Sequence, residues 1–254
     1  MIKLKTQDEI ASLREGGRRL AVILGAIKAK VAPGVKTIDL ENLARDLIKQ
    51  GGDEPAFLGY KPQGSRRAYP AALCVSVNDE IVHGLPSERA LKVGDIVGLD
   101  LGLKHDGLFT DMALTVPVGQ ISPEAENLIA IVEQALEAGM AVARPGKKIG
   151  DIGHAIELVI KENGFKVVKE LAGHGVGYQP HEDPFVPNFG RPGTGDELLP
   201  GLVIAIEPMA TPGRGDIKVG SDGFTFLTKD GKLASHTEKT IVITETGHEI
   251  LTTT

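Results

Sequence analysis

Two pairs of helices are written into the chain as stretches whose apolar residues recur at three- to four-residue spacing. The first pair begins with a segment starting near Thr6, where Thr6 and Glu9 fit a capping box, and continues with "APGVKTIDLENLARDLIKQGG" from Ala32. The second pair begins with "SPEAENLIAIVEQALEAGMAV", with Ser122 as N-cap and Pro123 at the first helical position. It continues with "RPGKKIGDIGHAIELVIKENG" from Arg144. After each pair the pattern shifts to short apolar and β-branched runs, as in "LKVGDIVGLDLG" (91–102) and "HTEKTIVITETG" (236–247). These predict strands. The pattern is therefore α+β: two helices followed by antiparallel strands, twice.

The repetition extends to individual residues. Pro33-Gly34 aligns with Pro145-Gly146, Asp39 with Asp151, Lys49 with Lys161 and Gly52 with Gly164, all at an offset of 112. Among the strands, "LKVGDIVGLDLG" resembles "LLPGLVIAIEPM" (198–209), which matches Asp100 with Glu207. "FTDMALTVPVG" (109–119) resembles "HTEKTIVITETG", which matches Asp111 with Glu238. "VHGLP" and "PHEDP" share His-x-x-Pro, which matches His83 with His181. This predicts one domain over 1–254 made by internal duplication, with halves near 1–120 and 121–254. A pseudo-twofold axis between the halves would bring the paired carboxylates face to face.

Carboxylates inside apolar strands need partners, because an unpaired buried charge is very costly. The basic residues cluster elsewhere, at 18–19, 66–67 and 147–148. Four converging carboxylates without counter-charges repel one another, and two dications would cancel that charge. His174 lies between Gly173 and Gly175, small neighbours that would let its ring reach a crowded centre. One nitrogen among carboxylates suits Mn, Fe, Co or Zn better than calcium. A pair of such ions is a hydrolase device. His83 and His181 sit in proline-bounded loops rather than strands, which favours substrate contact over ligation. Of the other histidines, His105 belongs to a hairpin turn in "KHDGL", His154 to a helix, and His248 lies near the C-terminus. His236, two residues before Glu238, is a candidate support for the ligands.

Composition narrows the class. The chain has 254 residues, 41% hydrophobic and 24% charged, with a net charge of −6. That balance argues against nucleic acid or an anionic membrane as partner. Its single cysteine, Cys74, excludes an internal disulfide and fits a reducing, cytoplasmic location. The N-terminus "MIKLKTQDEI" is too charged for a signal-peptide core, and no apolar run reaches the ~20 residues that span a bilayer.

The order Asp100, Asp111, His174, Glu207, Glu238, in the settings "LDLGLKHDGLFTDMALTV", "GHGVG", "IEPM" and "TEKTIVIT", resembles the type I methionine aminopeptidases, which are pita-bread metallopeptidases. The resemblance covers essentially the whole chain. It implies an enzyme that removes the initiator methionine from nascent polypeptides when the second residue is small; the ribosome is a candidate further partner and a monomer the default state, neither read from the residues. By position, Asp100 resembles the two-oxygen ligand of one divalent ion, and Asp111 and Glu238 the bridging carboxylates. His174 and Glu207 resemble the ligands of the second ion, with Glu207 also the proton acceptor. His83 and His181 resemble the substrate-contacting catalytic histidines, and Tyr69 and Cys74 the lining of the methionine pocket. Departures lie around these residues. Pro180 replaces the usual aromatic before the second histidine. There is no tryptophan, so Phe224 or Phe226 stands in for one. His236 and Lys239 flank the last glutamate where glutamine and histidine are common.

Two other readings share the fold. An Xaa-Pro peptidase has the same ligand set but usually carries a large N-terminal domain, for which a first repeat helix beginning near residue 7 leaves no room. A metal-free peptide-binding protein typically loses ligands, and all five are present here. The type II enzymes insert a helical segment before the last glutamate, and the 31 positions from Glu207 to Glu238 are too few for it.

Overall fold

The structure is a computed structural model that describes residues 2–61 and 67–254. Arg66, part of one basic cluster noted above, lies outside the described residues. Among the described residues four helices are present: α1 (Gln7–Lys28), α2 (Thr37–Gly51), α3 (Pro123–Val142) and α4 (Ile149–Glu162). The strands of the first half are β1 (Glu54–Pro55), β2 (Leu73–Val77), β3 (Glu80–Val82), β4 (Ile96–His105) and β5 (Leu108–Pro117). Those of the second half are β6 (Lys166–Val167), β7 (Ala172–Gly175), β8 (Glu182–Pro187), β9 (Val203–Ile206), β10 (Met209–Thr211), β11 (Ile217–Val219), β12 (Phe226–Thr228), β13 (Ser235–His236), β14 (Glu238–Ile243) and β15 (His248–Ile250).

The expected caps are formed. Thr6 Oγ1 accepts from Glu9 N while Thr6 N donates to the Glu9 carboxylate, and Ser122 Oγ accepts from Ala125 N at 3.2 Å. The helices α2 and α4 start 112 residues apart, at Thr37 and Ile149. In each, an aspartate at the third helical position, Asp39 or Asp151, accepts from the N-cap amide of Lys36 or Lys148. Lys36 and Lys148 also form matching isolated bridges, to Ala90 and Glu197.

The main sheet has nine strands in the order β1-β4-β5-β14-β9-β7-β8, with β2 also on β4 and β15 also on β14. The first half's β4-β5 hairpin thus meets the second half's β14-β9 pair at the β5-β14 contact. Every pairing is antiparallel. On β4 the period of two is clean: Leu99, Leu101 and Leu103 join a core with Leu20, Leu24 and Ile27 of α1 and with Leu40 and Ile48 of α2. In the second half Ile204, Ile206 and Ile241 pack with Leu128, Val132, Ile152 and Ile156 of α3 and α4. The helices therefore cover one face of the sheet. The alternate positions of β4, β5 and β14 turn to the other face, and these include Asp100, Asp111 and Glu238.

Candidate metal centre

Register places the carboxylates. Ala113 of β5 is paired with Asp100 on one side and with Glu238 on the other, so these three form a row across three strands. Asp111, two residues earlier on β5, shares their face. The small Ala113 side chain at the centre of the row leaves space above it. Glu207 follows β9, whose Ile206 pairs with Lys239 beside Glu238. His174 on β7 pairs with Ala205 of β9. The five predicted ligands thus come from five adjacent strands or strand ends.

Their atoms form overlapping sets. Ligand atoms of Asp100, Asp111 and Glu238 lie within 4.8 Å of one another, as do those of His174, Glu207 and Glu238. Glu238 belongs to both sets. Asp111 also groups with His174 and His181, which places it between the two sets. Nδ1 of His174 is 3.0 Å from the carbonyl of Gly175 and donates to it, leaving Nε2 with its lone pair 3.5 Å from Glu207 Oε1. That is the tautomer a metal ligand requires.

The electrostatics of this cluster are adverse without a cation. All four carboxylates are buried. Among the described residues their ion-pair contacts come from His174 and His236, with no lysine or arginine among them. Burial raises the Asp100 carboxyl to about 6, against a smaller lowering by His236. It also raises Asp111, with Asp100 adding repulsion, as well as Glu207 and Glu238. His174 is lowered to about 3, chiefly by burial. Oδ1 of Asp100 and Oε1 of Glu238 are buried with no hydrogen-bond partner. Orphaned carboxylate oxygens facing a neutral imidazole fit divalent metal, because a cation would satisfy both the oxygens and the repulsion.

The centre forms part of the wall of a cavity of about 380 Å³. Tyr69, Cys74, Phe224, Phe226, His83 and His181 all line it, so every sequence-predicted site residue meets there. Tyr69 and Phe224 pack edge to face at 5.6 Å, and the ring of Phe226 lies 5.5 Å from that of His83. The Cys74 thiol is buried, and burial pushes it up. His83 follows β3 with a left-handed φ of 58°, and His181 precedes β8. Desolvation in the cavity is the main cause that lowers each to about 4, although His181 keeps an exposed edge. Of the remaining histidines, His105 is bound to Asp53 at 2.7 Å and His248 Nδ1 lies 3.2 Å from the Ala143 carbonyl, both away from the cluster.

Sequence reasoning missed Tyr60, Phe57 and Met209, which also line the cavity. The Tyr60 hydroxyl is 3.1 Å from His181 Nδ1, with the ring centroids 5.2 Å apart. Tyr60 thereby gives His181 the aromatic neighbour that Pro180 does not. The glycines beside His174 have a different reason from the one expected. A Cβ on Gly173 would lie 2.3 Å from the Ala205 carbonyl oxygen, and one on Gly175 would lie 2.1 Å from that of Asp183. They admit neighbouring backbone rather than make room for the ring.

A family model for metallopeptidase family M24 matches residues 11–245. The chain belongs to metallopeptidase family M24. It is 43% identical over 252 residues to methionine aminopeptidase 1 of Bacillus subtilis, covering 99% of each chain. It is 46% identical over 256 residues to the methionine aminopeptidase of Aquifex aeolicus, covering 99% of this chain and 98% of the relative. Among solved M24-type structures, the methionine aminopeptidase of Thermotoga maritima superposes with a TM-score of 0.95 at 40% identity over the full length of both chains. The prolidase of Pyrococcus furiosus superposes at 0.80 and 24% identity, with this chain spanning 65% of its length, and shares the fold. The α+β architecture expected from the residues, and the pita-bread fold implied by the resemblance, are what the structure has.

Proposed function

We propose that this chain is a methionine aminopeptidase that removes the initiator methionine from nascent polypeptides when the second residue is small. The observation that carries the reading is Glu238, shared by two ligand sets beside a cavity walled by Tyr69, Cys74, Phe224 and Phe226. A sulfur-tolerant aromatic wall suits a long, unbranched thioether. Relatives that are named methionine aminopeptidases and match along the whole chain support it.

In this reading Asp100, Asp111, His174, Glu207 and Glu238 would hold the divalent metal. Divalent ions held there, with Mn, Fe, Co and Zn all suited to the donor set, supply Lewis acidity at the first peptide bond. The residues do the rest. Glu207 accepts the proton of the attacking water. His83 and His181 donate to the substrate's carbonyl oxygen or meet the scissile nitrogen, and the aromatic wall holds the methionine side chain. The two duplicated halves act as one catalytic domain, since each supplies part of the ligand set. The chain's single cysteine, Cys74, is free and buried, as suits a reducing compartment, where nascent chains would be its substrates.

The test is a peptide panel with added Mn, Fe, Co or Zn. Met-Ala-Ser should be cleaved at least about 100-fold faster than Met-Leu-Ser, because bulk at the second residue pushes the scissile carbonyl out of line and ~1 Å costs about that much. Acetylated Met-Ala-Ser should resist. Preference for Ala-Pro-Ser would make the chain an Xaa-Pro peptidase, and binding of peptides without cleavage under any metal would make it a binding protein.

A further inference from the structure

His236 is a buried imidazole whose Nε2 has no hydrogen-bond partner. Its backbone is fixed by Thr115, whose hydroxyl accepts from His236 N at 3.1 Å and donates to His236 O at 2.7 Å. Its strand, β13, pairs His236 with Met209 of β10, two residues beyond Glu207. The ring therefore has a fixed origin and points Nε2 at two carboxylates, 3.5 Å from Glu207 Oε2 and 4.0 Å from Glu238 Oε2. A bare lone pair at Nε2 would face only acceptor oxygens. The neighbourhood therefore selects the tautomer with hydrogen on Nε2, the reverse of His174, whose Nδ1 holds the hydrogen.

Glu207 stands between the two rings. Its Oε1 lies 3.5 Å from His174 Nε2 and its Oε2 lies 3.5 Å from His236 Nε2. We propose that His236 is a positioning residue: its Nε2–H, aimed at Glu207 Oε2 from 3.5 Å, attracts that oxygen electrostatically and so leaves Oε1 turned towards His174. Without it Glu207 is free to rotate or to offer both oxygens. A support of this kind acts on affinity and coordination geometry without touching substrate. Removal of such partners typically lowers metal affinity about 10- to 100-fold. The proposal rests on the metal-centre reading given above.

The test compares metal-free wild type with His236→Leu, which removes the donor at similar bulk, and His236→Gln, which keeps an N–H donor. Each is titrated with Co²⁺ by calorimetry, and the visible spectrum of the Co²⁺ form is recorded. His236→Leu should bind the ion at least about 10-fold more weakly and show a changed visible spectrum. His236→Gln should stay within about threefold with the wild-type spectrum. Wild-type affinity and spectrum in the leucine variant would overturn the proposal. So would a loss in the glutamine variant as large as that in the leucine variant, because the ring nitrogen would then be a ligand rather than a donor. If the leucine variant does not fold, the glutamine variant decides alone on the same threshold. Failure of the wild type to bind Co²⁺ would instead reject the metal-centre reading itself.

Discussion

The ammonium of Lys5 is ion-paired with Glu182, the residue that follows His181. The pair joins the N-terminal segment to the loop that carries the cavity-lining His181. Glu182 Oε2 accepts from the amides of Tyr178 and Gln179 at 3.0 and 3.1 Å, so the same carboxylate closes the loop on itself. Lys5 is held in turn by its amide, which donates to the Gly201 carbonyl at 2.8 Å. Gly177 is obligatory in this arrangement: its φ is 137°, and a Cβ there would lie 2.5 Å from Lys5 Cε.

Lys5→Met should therefore act on both stability and turnover. The Lys5 side chain is 1% exposed and that of Glu182 is 14% exposed. Removing one partner of a fully buried pair costs about 3–5 kcal/mol, and the partial exposure of Glu182 reduces the expected loss to about 2 kcal/mol. Urea unfolding of the metal-free protein measures it. The double variant Lys5→Met/Glu182→Gln should recover part of the loss, because no buried carboxylate is then left unpaired. A loss under about 0.5 kcal/mol would mean that the N-terminal segment does not hold the loop.

The metal-free protein should become less stable above pH 6.5, and metal should rescue it more as pH rises. Asp100, raised to about 6, and Asp111, Glu207 and Glu238, raised by burial, bind more protons folded than unfolded. Their stabilising contribution is complete below their unfolded values and is lost as pH rises through the folded ones. His83 and His181, lowered from 6.5 to about 4, have the opposite sign: folded, they bind fewer protons between pH 4 and 6.5, so their contribution rises across that window and is constant above it. His174 and His236, also lowered, act in the same direction, and towards pH 8 these histidine contributions have levelled off while the carboxylate effect continues. The thermal midpoint without metal should fall there, and the gain from saturating Mn²⁺ should grow, since ligands must be deprotonated to bind. Melting curves with and without Mn²⁺ measure both. Asp111→Asn should flatten the pH dependence, and a gain independent of pH would contradict the assignment.

Tyr60→Phe tests the support of His181. If the Tyr60 hydroxyl donates to Nδ1, it leaves Nε2–H free to donate into the cavity. Loss of one neutral hydrogen bond is worth about 1 kcal/mol, or about fivefold. The expected result is a kcat about fivefold lower with metal content unchanged, and a larger effect on kcat than on KM. An unchanged kcat would leave Tyr60 as pocket wall only.

The features that local chemistry determines were legible in the chain. Thr6 with Glu9 and Ser122 with Pro123 mark helix starts because caps are made by residues within three positions. Asp100, Asp111 and Glu238 were legible as cluster members because each interrupts an apolar strand and each half supplies its share. What escaped depends on contacts between distant segments. Tyr60 reaches a histidine 121 residues away, and Lys5 pairs with a glutamate 177 residues away. Neither sits in a periodic pattern, and one tyrosine in "FLGYKP" carries no sign of what it faces. The need for the glycines in "GHGVG" is hidden in the sequence for the same cause, because the approaching carbonyls belong to β9 and to the segment that forms β8.

If the glycines beside His174 only made room for its ring, alanine at 175 would be a mild change. Instead, a Cβ at 175 would meet Asp183 O at 2.1 Å and Glu182 O at 3.0 Å, both backbone atoms that cannot rotate away. The strand must then separate from β8, where pairing already shifts register between His174 and Gly175. Overpacking of this kind typically costs about 1–3 kcal/mol. Displacement of β7 also carries His174 away from Glu207. Gly175→Ala should therefore lose stability in that range and bind Co²⁺ at least about 10-fold more weakly, as expected when support of a ligand is lost. Gly34→Ala serves as the comparison: its φ of 87° strains the backbone, but no atom lies within 4 Å of the added Cβ. It should cost stability through backbone strain alone and leave metal affinity unchanged. Equal metal affinity in both variants would mean that the approach of β8 does not position His174.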